Sequence, residues 1–284
     1  MNESRPASEL ETFSHQEIGV IVLTHDHRDH PNRSLYASLT SIARQDYPGP
    51  IRVLLLGDNC ASTPRAPDSL FRSAGLWVSE WNLTTGRASR TMPDVAHVAR
   101  LRSISLKLID SPYVCFLDDD NVLEREHLST LYNLLRERLA LATHSWRKLV
   151  DAAGRPWQAD RFPWLPPGPY ERRIYDLYTT FGVLTAGDCI VRDRVNLPVH
   201  GREYGMVDMG EWLFDRSIFD MLKFDFHYSQ DEINNRTGED DKLLNQIRRL
   251  GLPTACTERA TLIYSLGGFS NRYPGYDQPL CAGP

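Results

Sequence analysis

Residues 113–121 read YVCFLDDDN, so a short apolar run leads directly into three consecutive aspartates. The apolar part, residues 113–117, has the length and continuous hydrophobicity of a strand that is buried on both faces, as strands of parallel sheets are. The aspartates then follow the carboxyl end of that strand, and ligands of open α/β sheets bind at this edge. This segment therefore marks both the centre of a predicted sheet and the first candidate site.

The chain on the amino-terminal side of this segment alternates between strands and helices. Apolar runs at residues 18–23 and 51–56 predict two further buried strands, and the spacing of leucine and isoleucine after Pro31 predicts a helix between them. A second helix is predicted to begin near Asp94 and to lead into the 113–117 strand. A strand–helix–strand order needs a crossover and favours parallel pairing. The predicted fold class is therefore α/β, with a mostly parallel central sheet flanked by helices.

The carboxyl-terminal half is less regular. Helices are predicted at residues 128–139 and 239–250, strands at 183–192 and 261–264, and a Trp- and Pro-rich loop at 146–182. No flexible linker or internal repeat interrupts the chain. We therefore expect a flexible tail at residues 1–16 and a single domain over residues 17–284.

Composition excludes several classes of function. The net charge of −5 comes without the clustered Lys and Arg of a nucleic-acid-binding protein. The five cysteines are scattered, which argues against a zinc knuckle and favours a reducing compartment. No stretch approaches the roughly 20 apolar residues of a transmembrane helix, and the polar first residues lack the apolar core of a signal peptide. We expect a cytoplasmic protein without a nucleic-acid partner, and the sequence carries no signal for an oligomeric state.

The aspartates after the 113–117 strand have two interpretations. In extended backbone, Asp118 and Asp120 would point the same way and converge on one ligand, while Asp119 would point elsewhere. Adjacent carboxylates repel one another, and Mn²⁺ or Mg²⁺ would offset this repulsion and complete its coordination with phosphate oxygens and water. The simpler interpretation is a solvated acidic turn that caps the next helix. The position at the ligand edge favours the metal site.

This part of the chain resembles the GT-A-fold glycosyltransferases, and especially the large family 2 of inverting enzymes. The resemblance rests on LDDD at 117–120, which is similar to their Asp-x-Asp motif, and on VIVLT at 20–24, LTSIARQDYP at 39–48 and LLLGDNCAS at 54–62. It covers roughly residues 18–125. It implies that residues 17–125 bind a nucleotide sugar and that residues 126–284 bind the acceptor.

The same resemblance implies roles for individual residues. Donor contacts are implied for Thr24, His25, Asp58, Asp118 and Asp119, with Asp58 on the base, and metal ligation is implied for Asp118 and Asp120. The implied cofactor is Mn²⁺ or Mg²⁺, and the implied substrates are a UDP- or GDP-linked sugar and an acceptor hydroxyl. Asp58 also lies in ordinary turn chemistry, Gly-Asp-Asn. The histidine-rich loop after Thr24 is alternatively a surface loop or a transition-metal site.

A second acidic cluster, GEDD at residues 238–241, precedes the predicted helix 239–250. Acidic residues are common in a first helical turn, where they suit the helix dipole. The resemblance instead implies a catalytic Glu239-Asp240 pair, with Asp240 the better candidate for the base and Asp241 a competitor. Such a base would take the proton of the attacking hydroxyl, while the metal neutralises the leaving diphosphate on the other side of the sugar. The expected reaction is direct displacement with inversion.

The sequence also departs from this pattern. Many GT-A enzymes have a further metal-binding histidine near the carboxyl terminus, whereas the last histidine here is His227. Arg100 and Arg102 are predicted to lie on a solvated helix face, and Asp188 and Asp208 to line the acceptor cleft.

Two other functions compete with sugar transfer. A nucleotidyltransferase usually has a Gly-rich loop after its first strand, and residues 24–31 contain no glycine. A non-catalytic sugar-binding relative is expected to have lost Asp118, Asp120 or Asp240, and all three are present.

Overall fold

The structure is a computed structural model that describes residues 15–25, 35–84, 94–199, 202–235 and 237–267. The strands and helices occur in the order β1 (Ile18–His25), α1 (Leu35–Ala43), β2 (Ile51–Asp58), α2 (Asp68–Ser73), β3 (Trp77–Leu83), α3 (Asp94–Leu108), β4 (Tyr113–Asp118), β5 (Val122–Leu123), α4 (His127–Arg138), β6 (Ala142–Val150), α5 (Pro169–Thr180), β7 (Ile190–Val191), β8 (Arg194–Val199), β9 (Arg202–Met206), β10 (Trp212–Asp215), α6 (Gln230–Asn234), α7 (Glu239–Leu250) and β11 (Thr254–Ser265). Two 3-10 turns, Met209–Glu211 and Arg216–Asp220, flank β10. None of the helices in these residues is long and apolar enough to cross a membrane.

Most of these strands form one central sheet. Its order is β3-β2-β1-β4-β10-β6-β11-β5, with β7 paired to β6, while β8 and β9 form a separate hairpin. The strands β3, β2, β1 and β4 are mutually parallel. The strand β10 is antiparallel to both of its neighbours, and β11 is parallel to β6. The predicted fold class, an α/β fold with a mostly parallel sheet and flanking helices, is confirmed.

The central strands are buried on both faces because they carry apolar side chains at successive positions. In β1, Val20 and Val22 pack in the layer that contains α1 and α4. Ile21 faces the opposite layer, which contains residues of α3 and α7. Each fully buried side chain of this kind contributes about 1.5–3 kcal/mol. A third apolar cluster, around Leu149 and Tyr175, lies under the carboxyl-terminal half.

The strands predicted at residues 18–23, 51–56 and 113–117 and the helix predicted at 239–250 are confirmed, and each of the three strands extends one or two residues further. The predicted start at Pro31 of the first helix lies outside the described residues, as does nearly all of the predicted tail. The single domain over residues 17–284 stays a prediction.

Other predictions were wrong. Residues 146–182, predicted to be loop, contain the end of β6 and all of α5, and residues 183–192 contain only the two-residue strand β7. The last strand begins at Thr254 rather than at residue 261. Leu139, the last residue of the helix predicted at 128–139, is the left-handed cap of α4 and is 84% exposed. The elements α2 and β3 were not predicted.

Candidate functional site

The topology brings three acidic stretches to one edge of the sheet. The strand β4 ends at Asp118, at the carboxyl edge of the parallel strands. Because β10 is antiparallel to β4, it begins at that same edge, and Asp208 immediately precedes its leading turn. The helix α7 connects to β11, which is parallel to β6, so α7 begins with Glu239 at this edge as well. Residues separated by about a hundred positions in sequence can therefore share one site.

Arg102 connects two of these stretches. Its Nη2 donates to Asp118 Oδ1 at 3.1 Å, and its Nε donates to Glu239 Oε1 at 3.1 Å. The Arg102 side chain is only 4% exposed, against 13% for Glu239 and 39% for Asp118. The prediction that Arg102 lies on a solvated helix face was wrong, because its side chain points from α3 towards the acidic edge. Arg100, on the same helix, is exposed as predicted.

The charges around Asp118 show that further carboxylates are close. The pKa of Asp118 is raised to about 7 by all of its surroundings together. Removal from water raises this pKa most, the Arg102 guanidinium lowers it, and the carboxylates of Asp208, Asp120 and Glu239 raise it. Each of these three carboxylates thus adds to the negative potential at Asp118. The edge is thus acidic, with a buried guanidinium at its base.

The aspartates that follow β4 do not continue the strand. The Asn121 N–H donates to the Asp118 carbonyl at 3.1 Å, so the backbone turns after Asp118. Asp119 is buried, and its carbonyl accepts a hydrogen bond of 2.9 Å from Ser38 Oγ. The extended backbone that was the premise for a common direction of Asp118 and Asp120 is therefore wrong. The two carboxylates are nevertheless electrostatic neighbours.

The first turn of α7 separates the roles of its three acidic residues. Asp241 Oδ2 accepts the Gly238 N–H at 2.8 Å and so caps the helix. Asp240 Oδ1 accepts the Asp241 N–H at 2.9 Å. Burial raises the pKa of Asp240 well above its ordinary value, and the neighbouring Asp241, Glu239 and Asp208 add to this. Glu239 is engaged by Arg102.

A second buried network lies beside this edge. Arg147 is 3% exposed, and it places Nε 3.0 Å from Asp193 Oδ2 and Nη1 3.0 Å from Asp208 Oδ2. Its guanidinium also lies over the ring of Trp164, 4.4 Å from the centroid. Burial raises the pKa of Asp193 to about 7. Burial and the neighbouring Asp193 raise the pKa of Glu211 well above its ordinary value. Asp208 is an electrostatic neighbour of Asp118, so it joins the two networks.

The predicted acceptor-side residues have different surroundings from each other. Asp208 is largely buried, and its Oδ1 accepts the Gly210 N–H at 2.9 Å in addition to the Arg147 contact. Asp188 pairs with Arg192 at 2.8 Å.

The predicted nucleotide-binding residues lie together at the same sheet edge. His25 is opposite Asp58 in the parallel register of β1 and β2, and Thr24 is opposite Gly57. Asp58 Oδ2 lies 2.9 Å from His97 Nε2, and Asp58 Oδ1 accepts from Asn59 Nδ2 at 2.6 Å. The remainder of the histidine-rich loop, residues 26–34, lies outside the described residues. The roles assigned to Thr24, His25 and Asp58 stay predictions.

In the described residues, no group of three or more His, Cys, Asp and Glu side chains is arranged to hold a metal ion. Metal ligation by Asp118 and Asp120 therefore stays a prediction. The transition-metal alternative for the histidine-rich loop depends on residues 26–34, outside the described residues.

The two buried arginines were missed, although the sequence carries a weak signal for each. Arg102 lies four residues after Val98 and three before Ser105, a spacing that places the three residues on one face of a helix. Arg147 alternates with the buried Ser145 and Leu149, so strand periodicity places it on the inward side of β6. A charge at an inward position indicates a buried partner.

Comparison with known proteins identifies the fold. No model of a known protein family matches the chain, and no curated protein matches it. The solved structure of S. aureus TarS matches with a TM-score of 0.52 and 16% identity over 90% of this chain and 38% of TarS. A 1–349 fragment of S. aureus TarS in complex with UDP matches with a TM-score of 0.53 and 16% identity, over 88% of this chain and 60% of the fragment. The chain thus spans 38% of the length of TarS and 60% of the length of the fragment, less than two thirds of either. At this identity the likeness shows the fold alone, which is that of a GT-A-like glycosyltransferase.

Proposed function

We propose that the protein is a glycosyltransferase that moves a sugar from a nucleotide diphosphate donor to an acceptor hydroxyl, with inversion. The observation that carries this proposal is that Asp118, at the end of β4, and Glu239, next to Asp240 at the start of α7, meet on the Arg102 guanidinium. Donor chemistry and proton removal need two separate acidic groups, and this edge has both. The UDP complex of the TarS fragment, which shares the fold, supports UDP as the first donor nucleotide to test.

A divalent ion, Mn²⁺ or Mg²⁺, fits the charge of this edge. Asp118 has Asp120, Asp208 and Glu239 as neighbouring carboxylates and Arg102 as its cationic neighbour. A diphosphate is itself anionic, so it would be repelled here without a further cation. Asp118 and Asp120 would hold the ion, since Mg²⁺ is commonly bound by one or two carboxylates plus substrate phosphates. When bound, the ion would neutralise the charge that develops on the leaving diphosphate.

Asp240 is the best candidate for the base. Glu239 is engaged by the Arg102 guanidinium, and Asp241 caps the helix by accepting the Gly238 N–H, whereas Asp240 Oδ1 accepts the N–H of the adjacent Asp241. The raised pKa of Asp240 makes it a stronger proton acceptor than an ordinary aspartate once it is ionised. Asp240 would hold the proton of the acceptor hydroxyl as that oxygen attacks the anomeric carbon.

Calorimetric titration with UDP and GDP, with and without Mn²⁺, tests the donor site directly. Asp118→Asn removes a charged ligand and should weaken Mn²⁺-dependent UDP binding by roughly tenfold or more. The matched change Asp188→Asn, at a carboxylate paired with Arg192 instead, should leave UDP binding unchanged. Equal UDP affinity with and without Mn²⁺ in the wild type would contradict the metal assignment.

A screen of nucleotide sugars that measures released UDP tests the transfer reaction. Asp240→Asn should lower turnover by roughly 100-fold or more, the scale of general-base catalysis, while UDP binding changes little. Asp241→Asn is the matched control, because it changes the adjacent carboxylate and weakens the helix cap instead. Turnover of Asp240→Asn close to that of the wild type would rule out Asp240 as the base.

A further inference from the structure

The geometry of the Arg102 contacts is unusual in one respect. The Nε–H and one Nη–H of a guanidinium form a fork along one edge, which commonly grips both oxygens of a single carboxylate or phosphate. In this protein Nε contacts Glu239 of α7 and Nη2 contacts Asp118 of β4, each at 3.1 Å. The fork is therefore divided between two carboxylates, Asp118 and Glu239, which lie 121 residues apart in sequence.

Arg102 is itself held firmly. Its side chain is 4% exposed, and its guanidinium carbon lies 5.4 Å from the centroid of the Phe116 ring in β4. Burial lowers the pKa of Arg102, but the surrounding carboxylates, Asp118 and Glu239 first, outweigh it and keep the group charged. A planar, permanently charged fork on the inward side of a helix is a rigid connector in a way that a lysine ammonium is not.

The contact with Glu239 fixes the start of α7. Glu239 is the first residue of that helix, and Asp240 follows it in the same turn. The cap at Gly238 comes from Asp241 of the same turn, so it does not connect the helix to the sheet. The Arg102–Glu239 pair does make that connection, because Arg102 also holds Asp118 at the end of β4.

We propose that Arg102 is a positioning residue that sets the place of Asp240 relative to the donor site at Asp118, acting through Glu239. The inference rests on the proposed function in taking Asp240 as the base. A displacement of about 1 Å of a reacting group can cost about 100-fold in rate. The loss of one anchor of α7 should therefore slow the chemical step while the donor site itself remains. Glu239 accordingly acts as a connector and not as a second base.

The kinetic test compares Arg102→Lys with Arg100→Lys, a change at an exposed position of the same helix. Lysine keeps the charge but cannot present a fork to both carboxylates, so Arg102→Lys should lower kcat by roughly 10–100-fold. The donor KM and the Kd for UDP with Mn²⁺ should stay within about threefold, since no donor contact is removed. Arg100→Lys should behave as the wild type.

Glu239 supplies the second half of the kinetic test. Glu239→Ala should lower kcat as much as Arg102→Lys does, and the double variant should be no worse, because both changes break one connection. Glu239→Gln keeps an acceptor oxygen for Nε and should restore most of the rate. If UDP binding falls in parallel with kcat, Arg102 is a phosphate contact and the inference is overturned. If Arg102→Lys lowers only the Tm, its role is structural and the inference is likewise overturned.

A stability measurement keeps the inference separate from the proposed function. Asp118→Asn and Glu239→Ala should have non-additive effects on the free energy of unfolding when Arg102 is present and additive effects in the Arg102→Lys background. Additive effects in both backgrounds would overturn the connection between the two residues, whatever the protein catalyses. Absence of UDP binding and of UDP release in the wild type would instead refute the proposed function.

Discussion

Replacement of Arg147 by methionine should lower the free energy of unfolding more than any substitution at the surface. Methionine fills much of the space of the arginine stem, so the main loss is of charge rather than of volume. The change leaves Asp193 and Asp208 without the guanidinium that lies 3.0 Å from each, with Glu211 beside them. Removal of one partner of a buried ion pair costs about 3–5 kcal/mol of stability, and we expect the free energy of unfolding to fall by that amount at pH 8.

This loss should become smaller at lower pH. Burial raises the pKa of Asp193 to about 7 even with Arg147 in place, and without Arg147 it would rise further. A carboxyl whose pKa is raised in the folded state stabilises the fold at low pH and loses that contribution as the pH rises through the folded pKa. Lowering the pH from 8 to 6 protonates this carboxyl in the wild type and removes part of its cost, and it removes more of that cost in the variant, where the pKa is higher. The difference between wild type and variant should therefore shrink by an amount on the order of 1 kcal/mol.

Urea unfolding followed by circular dichroism at both pH values measures this difference. Arg155→Met is a suitable control, because Arg155 is 63% exposed and its pair with Asp151 lies at the surface. Such a pair contributes about 0–1 kcal/mol and should show no comparable dependence on pH. A loss for Arg147→Met below about 1 kcal/mol, or one equally large at pH 6 and pH 8, would refute the reasoning.

Three further predictions follow from single contacts. Gly238 has backbone angles φ of −78° and ψ of 168°, which suit any residue, but a methyl group there would collide with Asp240 Oδ1. Gly238→Ala should therefore lower kcat towards that of Asp240→Asn. Its cost to the helix cap, measured by urea unfolding, should be about 1 kcal/mol or less. His97→Ala removes the 2.9 Å contact to Asp58 and should weaken UDP binding by about fivefold in calorimetry, whereas an unchanged Kd would contradict a nucleotide role for this pair. Burial lowers the pKa of His127 to about 3, so the wild type should lose stability as the pH falls below about 6.5. Relative to His127→Gln, this loss should reach about 3 kcal/mol at pH 4.5 in urea unfolding. Parallel pH curves for the two proteins would show that the histidine is not buried in its neutral form.

The sequence predicted the elements whose signal is local. The strands β1, β2 and β4 are continuous apolar runs because they are buried on both faces, and α7 shows clear helical spacing between an acidic start and Gly251. The parallel order of these strands then placed Asp118 at the ligand edge without any knowledge of side-chain contacts.

Elements with mixed signals were missed. The strand β3 reads WVSEWNL, and its residues are exposed or half-buried because it lies at the end of the sheet, so neither alternation nor a continuous apolar run is visible. The helix α5, PYERRIYDLYTT, buries tyrosines and a glutamate instead of leucines. Its inward face becomes recognisable only through the cluster against which it packs.

The side-chain contacts of the site could not be predicted from sequence patterns, for a different reason. Hydrophobic periodicity tells which face of an element is buried, and it can place Arg102 and Arg147 near an inward face. It contains no information on which carboxylate each will meet, because Asp118, Asp193 and Asp208 come from separate elements. Their meeting depends on the insertion of β10 between β4 and β6, which only the folded sheet reveals.

The two buried arginines are better explained by geometry than by stability. Buried ion pairs often contribute no more than apolar side chains of similar volume, and the apolar layers on both faces of the sheet already supply the main driving force for folding. Each guanidinium instead spans two carboxylates from different elements, and Asp208 lies within the electrostatic reach of both. An apolar layer tolerates small shifts, whereas a divided guanidinium fork holds its two partners at hydrogen-bond distance. The proposed function requires a donor carboxylate and a base at a constant separation, and Arg102 provides the second kind of contact between Asp118 and the first turn of α7.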